Sequence, residues 1–449
     1  MSAQTKPAAR TLSEFAVGLS YESIPAAVVE RAKAIIIDTV AASAYGAHLP
    51  WSQIVVDYVR RTSAPGKAIV WGTDLRVQAP MAALANGALA HAFELDCAYH
   101  PSTGAHSGAG STTPAVAVAQ ETGASGKDLI TAVVASSEVM YRIANAARDS
   151  IEKVGFHAPG LVGVFGGAVA AGRLMGLDAE RMTNAIGIGG SLCSGLLEFS
   201  KGGGGMVKRL HLGRAAEGGV TAAELARDGF TGPPTVLEGK YGFLKVYCRD
   251  ADPSLLTESL GEEWHTLKAS IKRYACHNTS HVPVTAVLEL KATHGIAGED
   301  VEAISVASSE KMVSHHDIPE PQDVMMAQYS APFNVAVAFY RDPQDPRSFS
   351  EHSLNDAAIR ALARKVKLEV LADNKGNQKA TRVTVTLKDG RRLVQEMDDF
   401  PGMPTKPLSP DELRRKFLML TRSLPAAERM FTQLIELESL AGVRDIQPT

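Results

Sequence analysis

Five short segments of this chain carry side chains that can move protons, and each lies between long stretches rich in Ala, Gly and Val. They are His91-Ala-Phe-Glu-Leu-Asp96-Cys97-Ala-Tyr-His100, His106-Ser-Gly108, Gly155-Phe-His157, Lys208-Arg-Leu-His-Leu-Gly213 and Tyr274-Ala-Cys-His277-Asn-Thr-Ser-His281. The ordinary pKa of histidine lies near neutrality, and a lysine in a dry pocket can be tuned toward it. One such histidine is most often a hydrogen-bonded core residue, but five segments together favour acid–base chemistry.

Glu94 and Asp96 supply the acids of the first segment, at the end of a predicted helix where either side chain alone could simply be solvated. His157 follows Gly155 and enters an apolar stretch through Pro159. That pattern places His157 near a helix N-terminus, where the helix dipole disfavours the imidazolium and favours a neighbouring anion. We expect a neutral His157 that serves as base or hydrogen-bond donor; the plainer alternative is a histidine that caps the helix.

A run of four glycines, Gly202 to Gly205, leads through Met-Val to Lys208. It does not match a phosphate-binding P-loop, because no glycine directly precedes the lysine and Arg209 stands where Ser or Thr would bind magnesium. We expect a flexible loop that delivers Lys208 and Arg209 to a site. An exposed basic turn is the alternative.

His277 and His281 are spaced i, i+4, so a helix would place both on one face. Zinc is conceivable there, but the HExxH pattern is absent and the thiol of Cys276 would point elsewhere on a helix. Because Lys208 and Arg209 already supply positive charge for a carboxylate ligand, we expect no metal.

The composition fits a protein of two or three domains with a sizeable core, since the 449 residues are 45% hydrophobic and 21% charged. A net charge of −3 provides no basic field for nucleic acid or for an anionic membrane. The four cysteines are scattered without a CxxC pair, and neither a signal peptide nor a membrane-spanning stretch is recognisable. We therefore expect a cytoplasmic protein.

The segments that must position these side chains, from Thr11 to about Phe243, have the pattern of helices rich in small residues. Ser125 and Asp128 resemble a capping box, and Asp178 can cap a helix that fades at Gly187–Gly190. Small residues let helices approach closely, which favours a compact bundle. The predicted helices are Ala26–Tyr45, Ala79–Asp96, Leu129–Ala147 and Gly160–Met175.

The pattern changes near Trp264, where alternating stretches predict strands and a hairpin. Ser409-Pro-Asp-Glu412 then begins a final helix that we expect to pack on the first domain. We predict an all-helical domain over residues 1–265 and 401–449, and an α+β domain over 266–400. The predicted strands are Val301–Ala307, Lys365–Leu371 and Arg382–Leu387 with Leu393-Val394, and the predicted helices are Pro283–Ala292 and Ala331–Tyr340.

Together, these segments resemble the MmgE/PrpD family, which includes 2-methylcitrate dehydratase, cis-aconitate decarboxylase and iminodisuccinate epimerase. Each segment alone is weak, but their order and spacing along nearly the whole chain are specific. The resemblance rests on Ala85-Asn-Gly87 through Asp96, Gly155-Phe-His157, Lys208–Ala216, Gly229-Phe-Thr-Gly-Pro233, Leu237-Glu-Gly239, Tyr274-Ala-Cys-His277 and Gln328-Tyr-Ser-Ala-Pro332-Phe.

The resemblance implies a mainly α fold, with a large all-helical domain built from both chain ends and a smaller α+β lid domain inserted near the C-terminus. It also implies a homodimer and cofactor-free chemistry on a small di- or tricarboxylate in the cleft between domains. By position, the family's active-site residues match His106, His157, Lys208 and His277. We also predict that Asp96 is catalytic. The residues that we predict to bind substrate are Glu94, Arg209, His281 and Tyr329.

The acidic segment departs from the family's pattern. Relatives often carry an Asp-Phe-Asp-Asp-Thr-like run where this chain has Glu94-Leu-Asp96-Cys97-Ala98. The loop before His106 looks longer than in the decarboxylase, and Ser107 replaces a proline. These changes touch the substrate-facing shell and count against the decarboxylase and methylcitrate activities specifically.

The chemistry shared by the family is proton movement at a carbon next to a carboxylate. The developing enediolate needs cations or donors aimed at its oxygens, which Lys208 and Arg209 could supply with a charged His106 or His277. One imidazole would take or give the proton, and we favour His157 as base and His277 as acid, or the reverse. Asp96 or Glu94 would orient a histidine or a substrate hydroxyl.

Three reactions fit this set of residues. We favour a hydro-lyase acting on a 2-methylcitrate-like or citrate-like hydroxy acid. An epimerase of an iminodisuccinate-like amino dicarboxylate follows closely, and a cis-aconitate-type decarboxylase is the third. A non-catalytic carboxylate-binding or scaffold protein is the remaining alternative, which the presence of all four matched residues argues against.

Overall fold

The computed structural model describes residues 6–100, 104–148, 150–201, 204–372 and 379–447, and two glycines of the predicted loop, Gly202 and Gly203, lie outside these ranges. The chain forms two compact units. The first comprises the chain up to Ala92, Asp96–Ile271 and the chain from Ser409, and the second comprises Phe93–Leu95 and Lys272–Leu408.

The α-helices of the described chain are these, in order: α1 Ala8–Gly18, α2 Ala26–Gly46, α3 Pro50–Thr62, α4 Ala79–Ala90, α5 Thr113–Thr122, α6 Gly126–Ala147, α7 Ser150–Val154, α8 Ala158–Leu174, α9 Ala179–Leu192, α10 Val207–Arg227, α11 Phe243–Val246, α12 His281–His294, α13 Glu310–His316, α14 Val324–Tyr329, α15 Ala331–Tyr340, α16 Glu351–Leu354, α17 Ala357–Ala363, α18 Pro410–Thr421 and α19 Ala427–Ile435. A π-helical turn over Gly108–Thr112 leads into α5.

The β-strands of the described residues are β1 Pro65–Ile69, β2 Arg76–Val77, β3 Ala98–Tyr99, β4 Ala269–Ser270, β5 Val301–Ser308, β6 Val366–Val370, β7 Thr381–Leu387 and β8 Arg392–Met397. In the second unit, four strands form a mixed sheet with the order β6-β5-β7-β8, in which only β5 and β6 run parallel. In the first unit, β1 pairs with β2 and β3 pairs with β4 in two antiparallel ladders.

Local capping signals define several helix starts as the sequence predicts. The side chain of Ser125 accepts a hydrogen bond from the backbone N–H of Asp128, which completes a capping box at α6. The Asp178 side chain caps α9 by accepting the backbone N–H groups of Glu180 and Arg181, and Ser409 forms a capping box with Glu412 at α18. Helix α18 packs on α2, where the Lys416 ammonium pairs with the buried Asp38 carboxylate.

Close approach of α10 to α4 and α8 depends on glycine. A Cβ on Gly213 would lie 2.4 Å from the carbonyl oxygen of Leu84, and a Cβ on Gly219 would lie 2.6 Å from the backbone nitrogen of Ala168. Both distances are shorter than any real side chain tolerates. The small residues therefore permit the tight helix packing that the composition predicts.

The helix predicted over Ala79–Asp96 is too long, because α4 ends at Ala90 and His91 occupies its C-cap. The chain then leaves helical geometry, and Glu94 has a positive φ of 54°. The helix after Asp178 was predicted to fade at Gly187–Gly190, yet α9 continues to Leu192. In both places tertiary packing, not local propensity, determines the end of the helix.

The predicted fold class is confirmed: the chain is mainly α, with a large helical unit and a smaller α+β unit. The strands of the second unit lie where alternation predicts them, within one residue at most ends for β5, β6 and β7. A search of the described helices for one long and apolar enough to cross a bilayer finds none.

Candidate active site

One carboxylate oxygen of Asp96 contacts two imidazoles in the first unit. His91 Nδ1 lies 2.9 Å from Asp96 Oδ2 in a hydrogen bond, and His106 Nδ1 lies 2.8 Å from the same oxygen at an ion-pair distance. The rings of His91 and His106 meet edge-to-face with centroids 5.0 Å apart. Asp96 and His91 are buried, so this contact takes place away from bulk water.

Burial lowers the pKa of His91 to about 4, although the nearby Asp96 carboxylate opposes the shift. His91 is therefore neutral near pH 7. Because Nδ1 of His91 contacts a carboxylate, Nδ1 carries the ring proton and donates a hydrogen bond to Asp96. Its buried Nε2 has no hydrogen-bond partner among the described residues.

The segment that carries His106 is fixed by Cys97, Ser107 and Tyr141. The thiol sulfur of Cys97 accepts the backbone N–H of Gly108 at 3.1 Å and lies 3.3 Å from the Ser107 hydroxyl, which also accepts the Tyr141 hydroxyl. Burial raises the pKa of Cys97 to about 12, so the thiol stays protonated. Two of the residues that depart from the family's pattern, Cys97 and Ser107, thus contact each other.

His157 lies at the N-cap of α8, as predicted, but its side chain makes no capping hydrogen bond. Its Nδ1 instead lies 3.1 Å from Nδ1 of His211 on α10. Burial, followed by the nearby charge of Lys208, lowers the pKa of His157 well below its ordinary value, and burial also lowers the pKa of His211. Both rings are neutral near pH 7, which agrees with the predicted neutral His157.

Lys208 and Arg209 lie in the first turn of α10, so they are delivered by a helix and not by the expected flexible loop. Lys208 is buried, and its charge lowers the pKa of both His91 and His157. Arg209 is also buried, and its guanidinium donates to the carbonyl oxygens of Gly205 and Ala92 at 2.6 and 3.3 Å. It also lies over the ring of Trp51. The two cations therefore have different surroundings.

In the second unit, Glu94 forms a buried ion pair with Lys272, with 2.7 Å between Glu94 Oε2 and Lys272 Nζ. Both side chains are nearly inaccessible to solvent. Glu94 is thus a buried, paired carboxylate and not a solvated acid at a helix end.

His277 lies just before α12, in contact with two aromatic side chains of the second unit. Its ring stacks on His316 with centroids 4.3 Å apart and lies 4.8 Å from the ring of Tyr329. Its backbone N–H donates to Gln328 O, and its Nδ1 lies 3.0 Å from the Thr279 hydroxyl. Burial lowers the pKa of His316 to about 4, so its ring is neutral beside His277.

His281 is fully buried in the second unit as the first residue of α12. Its ring packs between Tyr274 and Phe400, and its Nε2 lies 3.2 Å from the carbonyl oxygen of Cys276. Because His277 precedes the helix that begins at His281, the two histidines do not share a helical face as zinc binding at i, i+4 would require.

The predicted residues therefore separate into two sets. The first unit brings together Asp96, His106, His157 and Lys208, and the second unit brings together His277 and Tyr329. Sequence reasoning missed four side chains that contact predicted residues: Asp96, His157, Glu94 and His277 each contact one of them. His91 and His211 stood inside recognised segments, whereas Lys272 and His316 carried no local signal. The missed residues are His91, His211, Lys272 and His316.

Only one group of three His, Cys, Asp or Glu side chains in the described ranges is close enough to share a metal ion: His91, Asp96 and His106, with ligand atoms within 4.8 Å of one another. Two imidazoles and a carboxylate are suitable donors for zinc. The buried ammonium of Lys208, whose charge lowers the pKa of His91, would weaken the binding of a divalent cation there, although the Asp96 carboxylate raises that pKa more strongly.

Comparison with known proteins identifies the chain's relatives. Family models of the MmgE/PrpD N-terminal and C-terminal domains match residues 10–256 and 274–439. The chain is 31% identical to a cis-aconitate decarboxylase of Aspergillus terreus, over 93% of this chain and 90% of that protein. It is 29% identical to a cis-aconitate decarboxylase of Homo sapiens, over 89% and 85%. It is 28% identical to cis-aconitate decarboxylase-like protein oryM of Aspergillus oryzae, over 97% and 95%. The chain therefore belongs to the MmgE/PrpD family.

Proposed function

We propose that this chain is a cofactor-free lyase that cleaves a small polycarboxylate by moving a proton at a carbon next to a carboxylate. Decarboxylation of a cis-aconitate-like tricarboxylate is the first candidate. The observation that carries the proposal is the set of Asp96, His106, His157 and Lys208 in one unit, in which all but the partly exposed His106 are buried. The names of the relatives support decarboxylation over the dehydration that sequence reasoning placed first.

Lys208 supplies the positive charge. A carbon acid next to a carboxylate is weak, and its enediolate becomes accessible when a cation in a dry site contacts the developing charge. The buried Lys208 ammonium meets this requirement, and it also favours binding of an anionic substrate. Arg209 has a supporting role in this proposal, because its guanidinium is engaged by backbone carbonyls and Trp51.

His157 and His106 supply the proton-transfer groups of the first unit. A neutral His157 can accept a proton near pH 7, and Asp96 orients His106 through the Nδ1 contact. In a decarboxylation, the C–C bond to the departing CO2 breaks, and its electron pair stays on the adjoining carbon or is conjugated through it. An imidazolium that has taken its proton from water then gives that proton to carbon, so the N–H bond breaks as the C–H bond forms.

The role of His277 as the second acid or base stays a prediction. So do the substrate contacts expected of Glu94, His281 and Tyr329, the homodimer and the cytoplasmic location. For Glu94 and His281, the buried surroundings favour support of neighbouring residues over direct contact with substrate. A solution mass of twice 47.6 kDa would support the homodimer.

Dehydration of a 2-methylcitrate-like acid and epimerisation of an iminodisuccinate-like acid are the second candidates. The altered acidic segment favours the epimerisation, because the same changes count against the methylcitrate activity. Cys97 stands at the third acid of the family's run, and it is a buried neutral thiol held against Ser107. The change removes one negative charge from the shell next to Asp96.

Proton NMR of the EDTA-treated protein in deuterated buffer tests these candidates. cis-Aconitate, 2-methylcitrate, citrate and iminodisuccinate are supplied in turn. Decarboxylation gives a product with one carboxylate fewer and deuterium on carbon, dehydration gives a new vinyl signal, and epimerisation gives deuterium entry without a new skeleton.

Lys208→Ala and His157→Ala should abolish whichever signal appears while the melting temperature stays near wild type. Lys201→Ala, which removes an exposed lysine seven residues earlier, is the matched control and should behave as wild type. Wild-type protein that changes none of the four compounds would contradict the proposal for these substrates.

A further inference from the structure

His157 and His211 contact each other through the same type of nitrogen. Their Nδ1 atoms lie 3.1 Å apart, which is a hydrogen-bond distance. A hydrogen bond between two nitrogens needs one N–H and one lone pair. One ring must therefore carry a proton on Nδ1. The other ring must have an unprotonated Nδ1, so that, when neutral, it carries its proton on Nε2.

The surroundings are built for this contact. Gly195 accepts the backbone N–H of His157 with its carbonyl oxygen, and a Cβ on Gly195 would lie 3.2 Å from Cγ and Nδ1 of His211. The ring of Phe199 packs edge-on against both imidazoles, with centroids 5.1 and 5.8 Å away. The two rings are thus held in place by backbone and aromatic packing.

This contact decides which nitrogen of His157 can exchange a proton with substrate. Nδ1 is occupied by His211, so Nε2 is the remaining nitrogen. For Nε2 to accept a proton, the neutral ring must already carry a proton on Nδ1. His211 must then present a lone pair at its own Nδ1, and it accepts a stronger hydrogen bond once His157 becomes an imidazolium.

We propose that His211 is a positioning residue that holds His157 in the Nδ1–H tautomer and stabilises its imidazolium. The inference rests on the proposed function and names the atom that performs it. In an epimerisation or dehydration, a substrate C–H bond breaks, its electron pair enters the enediolate and the proton bonds to His157 Nε2. In a decarboxylation no C–H bond breaks, so Nε2 first takes a proton from water. In either case the Nε2–H bond breaks when a new C–H bond forms. His211 keeps its own proton throughout.

Two substitutions separate positioning from packing. His211→Phe keeps a ring against Phe199 but removes the acceptor, and it should lower kcat at least about 10-fold with little change in KM. His211→Asn places an amide oxygen near the position of Nδ1, and it should recover most of kcat. His294→Phe, at an exposed histidine of α12, is the matched control and should leave kcat and KM unchanged.

Nitrogen-15 NMR of histidine-labelled resting protein gives a readout that packing alone would not move. The His157 signals, assigned by their loss in His157→Gln, should show a protonated Nδ1 and an unprotonated Nε2 at pH 7.5. His211→Phe should convert them to the Nε2–H form or to a mixture, and His294→Phe should not.

The two arms distinguish failure of the inference from failure of the proposed function. Wild-type His157 with its proton on Nε2, or an active His211→Phe with wild-type kcat, overturns the inference. Wild-type protein without turnover overturns the proposed function for the compounds tested, and the tautomer measurement then still decides the role of His211.

Discussion

His91 and His106 share a single oxygen atom of Asp96, at 2.9 and 2.8 Å, and their rings meet edge-to-face. The two imidazoles do not have equal surroundings, because His91 is almost inaccessible and neutral whereas His106 is partly exposed. Asp96 therefore forms a hydrogen bond with His91 and faces His106 at an ion-pair distance. In the proposed function, this contact orients His106.

Asp96→Asn should lower kcat by about 10²-fold or more, because the amide can present an N–H to an imidazole nitrogen and so favour the wrong tautomer. Stability should change little, since the substitution preserves shape and removes a buried charge. Steady-state kinetics with the substrate identified by NMR would measure the effect. Asp57→Asn, at an exposed acid of α3, is the control, and equal kcat values in the two variants would contradict the proposed role of Asp96.

Stability should fall with acid because burial lowers the pKa of His91, His265 and His316 to about 4. In the unfolded chain a histidine binds a proton near pH 6.5, so between pH 6.5 and 4 the unfolded state binds more protons. The stability present above pH 6.5 is then lost as the pH falls. At pH 5 the loss is about 2 kcal/mol for each histidine.

Urea unfolding between pH 7.5 and 5 would measure this loss in the free energy of unfolding. His265→Phe should reduce the pH slope by about one proton, whereas a substitution of the exposed His294 should not. A wild-type slope of less than one proton over this range would contradict the buried neutral histidines.

Removing one partner of the Glu94–Lys272 pair should destabilise the protein. Lys272→Met leaves the buried Glu94 carboxylate without this ion pair, and the expected cost in the free energy of unfolding is about 3 kcal/mol or more. Glu94→Gln with Lys272→Met should cost less than Lys272→Met alone, because no buried charge remains. Thermal unfolding of the three proteins measures this, and additive losses would argue against a coupled pair.

Gly213→Ala should destabilise the first unit, because the added Cβ would lie 2.4 Å from the carbonyl oxygen of Leu84 and force α4 and α10 apart. We expect a loss of about 2 kcal/mol or more in the free energy of unfolding. Gly18→Ala is the matched control, since a Cβ there meets nothing within 4 Å. Chemical unfolding that gave the two variants equal stability would contradict this account of the helix contact.

Chelation should leave activity unchanged. His91, Asp96 and His106 could ligate a metal, but the charge of Lys208 opposes it. Dialysis against EDTA, followed by metal analysis and an activity assay, would test this. Loss of turnover that one equivalent of a divalent ion restores would assign the three side chains to a metal site instead.

The helices and strands could be predicted because their signals are local. The capping box of Ser125 and the alternation of β7 need no knowledge of distant residues. The end of α4 could not be predicted, because the run through His91 contains no helix breaker. The chain turns there so that His91 contacts Asp96 and Glu94 contacts Lys272, which is 178 residues away in the sequence.

The candidate site was predictable to the extent that histidines and a lysine stood in recognisable segments. The pairing of His157 with His211 required the structure, because it depends on the distance between α8 and α10. The stacking of His316 on His277 is likewise a tertiary contact between residues 39 positions apart in the sequence, and His316 has a neighbouring histidine that gives no reason to prefer it.

The three residues Phe93–Leu95 belong to the second unit although Ala92 and Asp96, on either side, belong to the first. An excised fragment of residues 272–408 would therefore lack Glu94, and Lys272 would lose its ion-pair contact inside the fragment. A chimera that exchanges this unit between relatives must transplant both the long segment and the short one. The short segment makes the second unit discontinuous in sequence. Recombination that exchanged one contiguous stretch of the gene would therefore transfer Lys272 without Glu94.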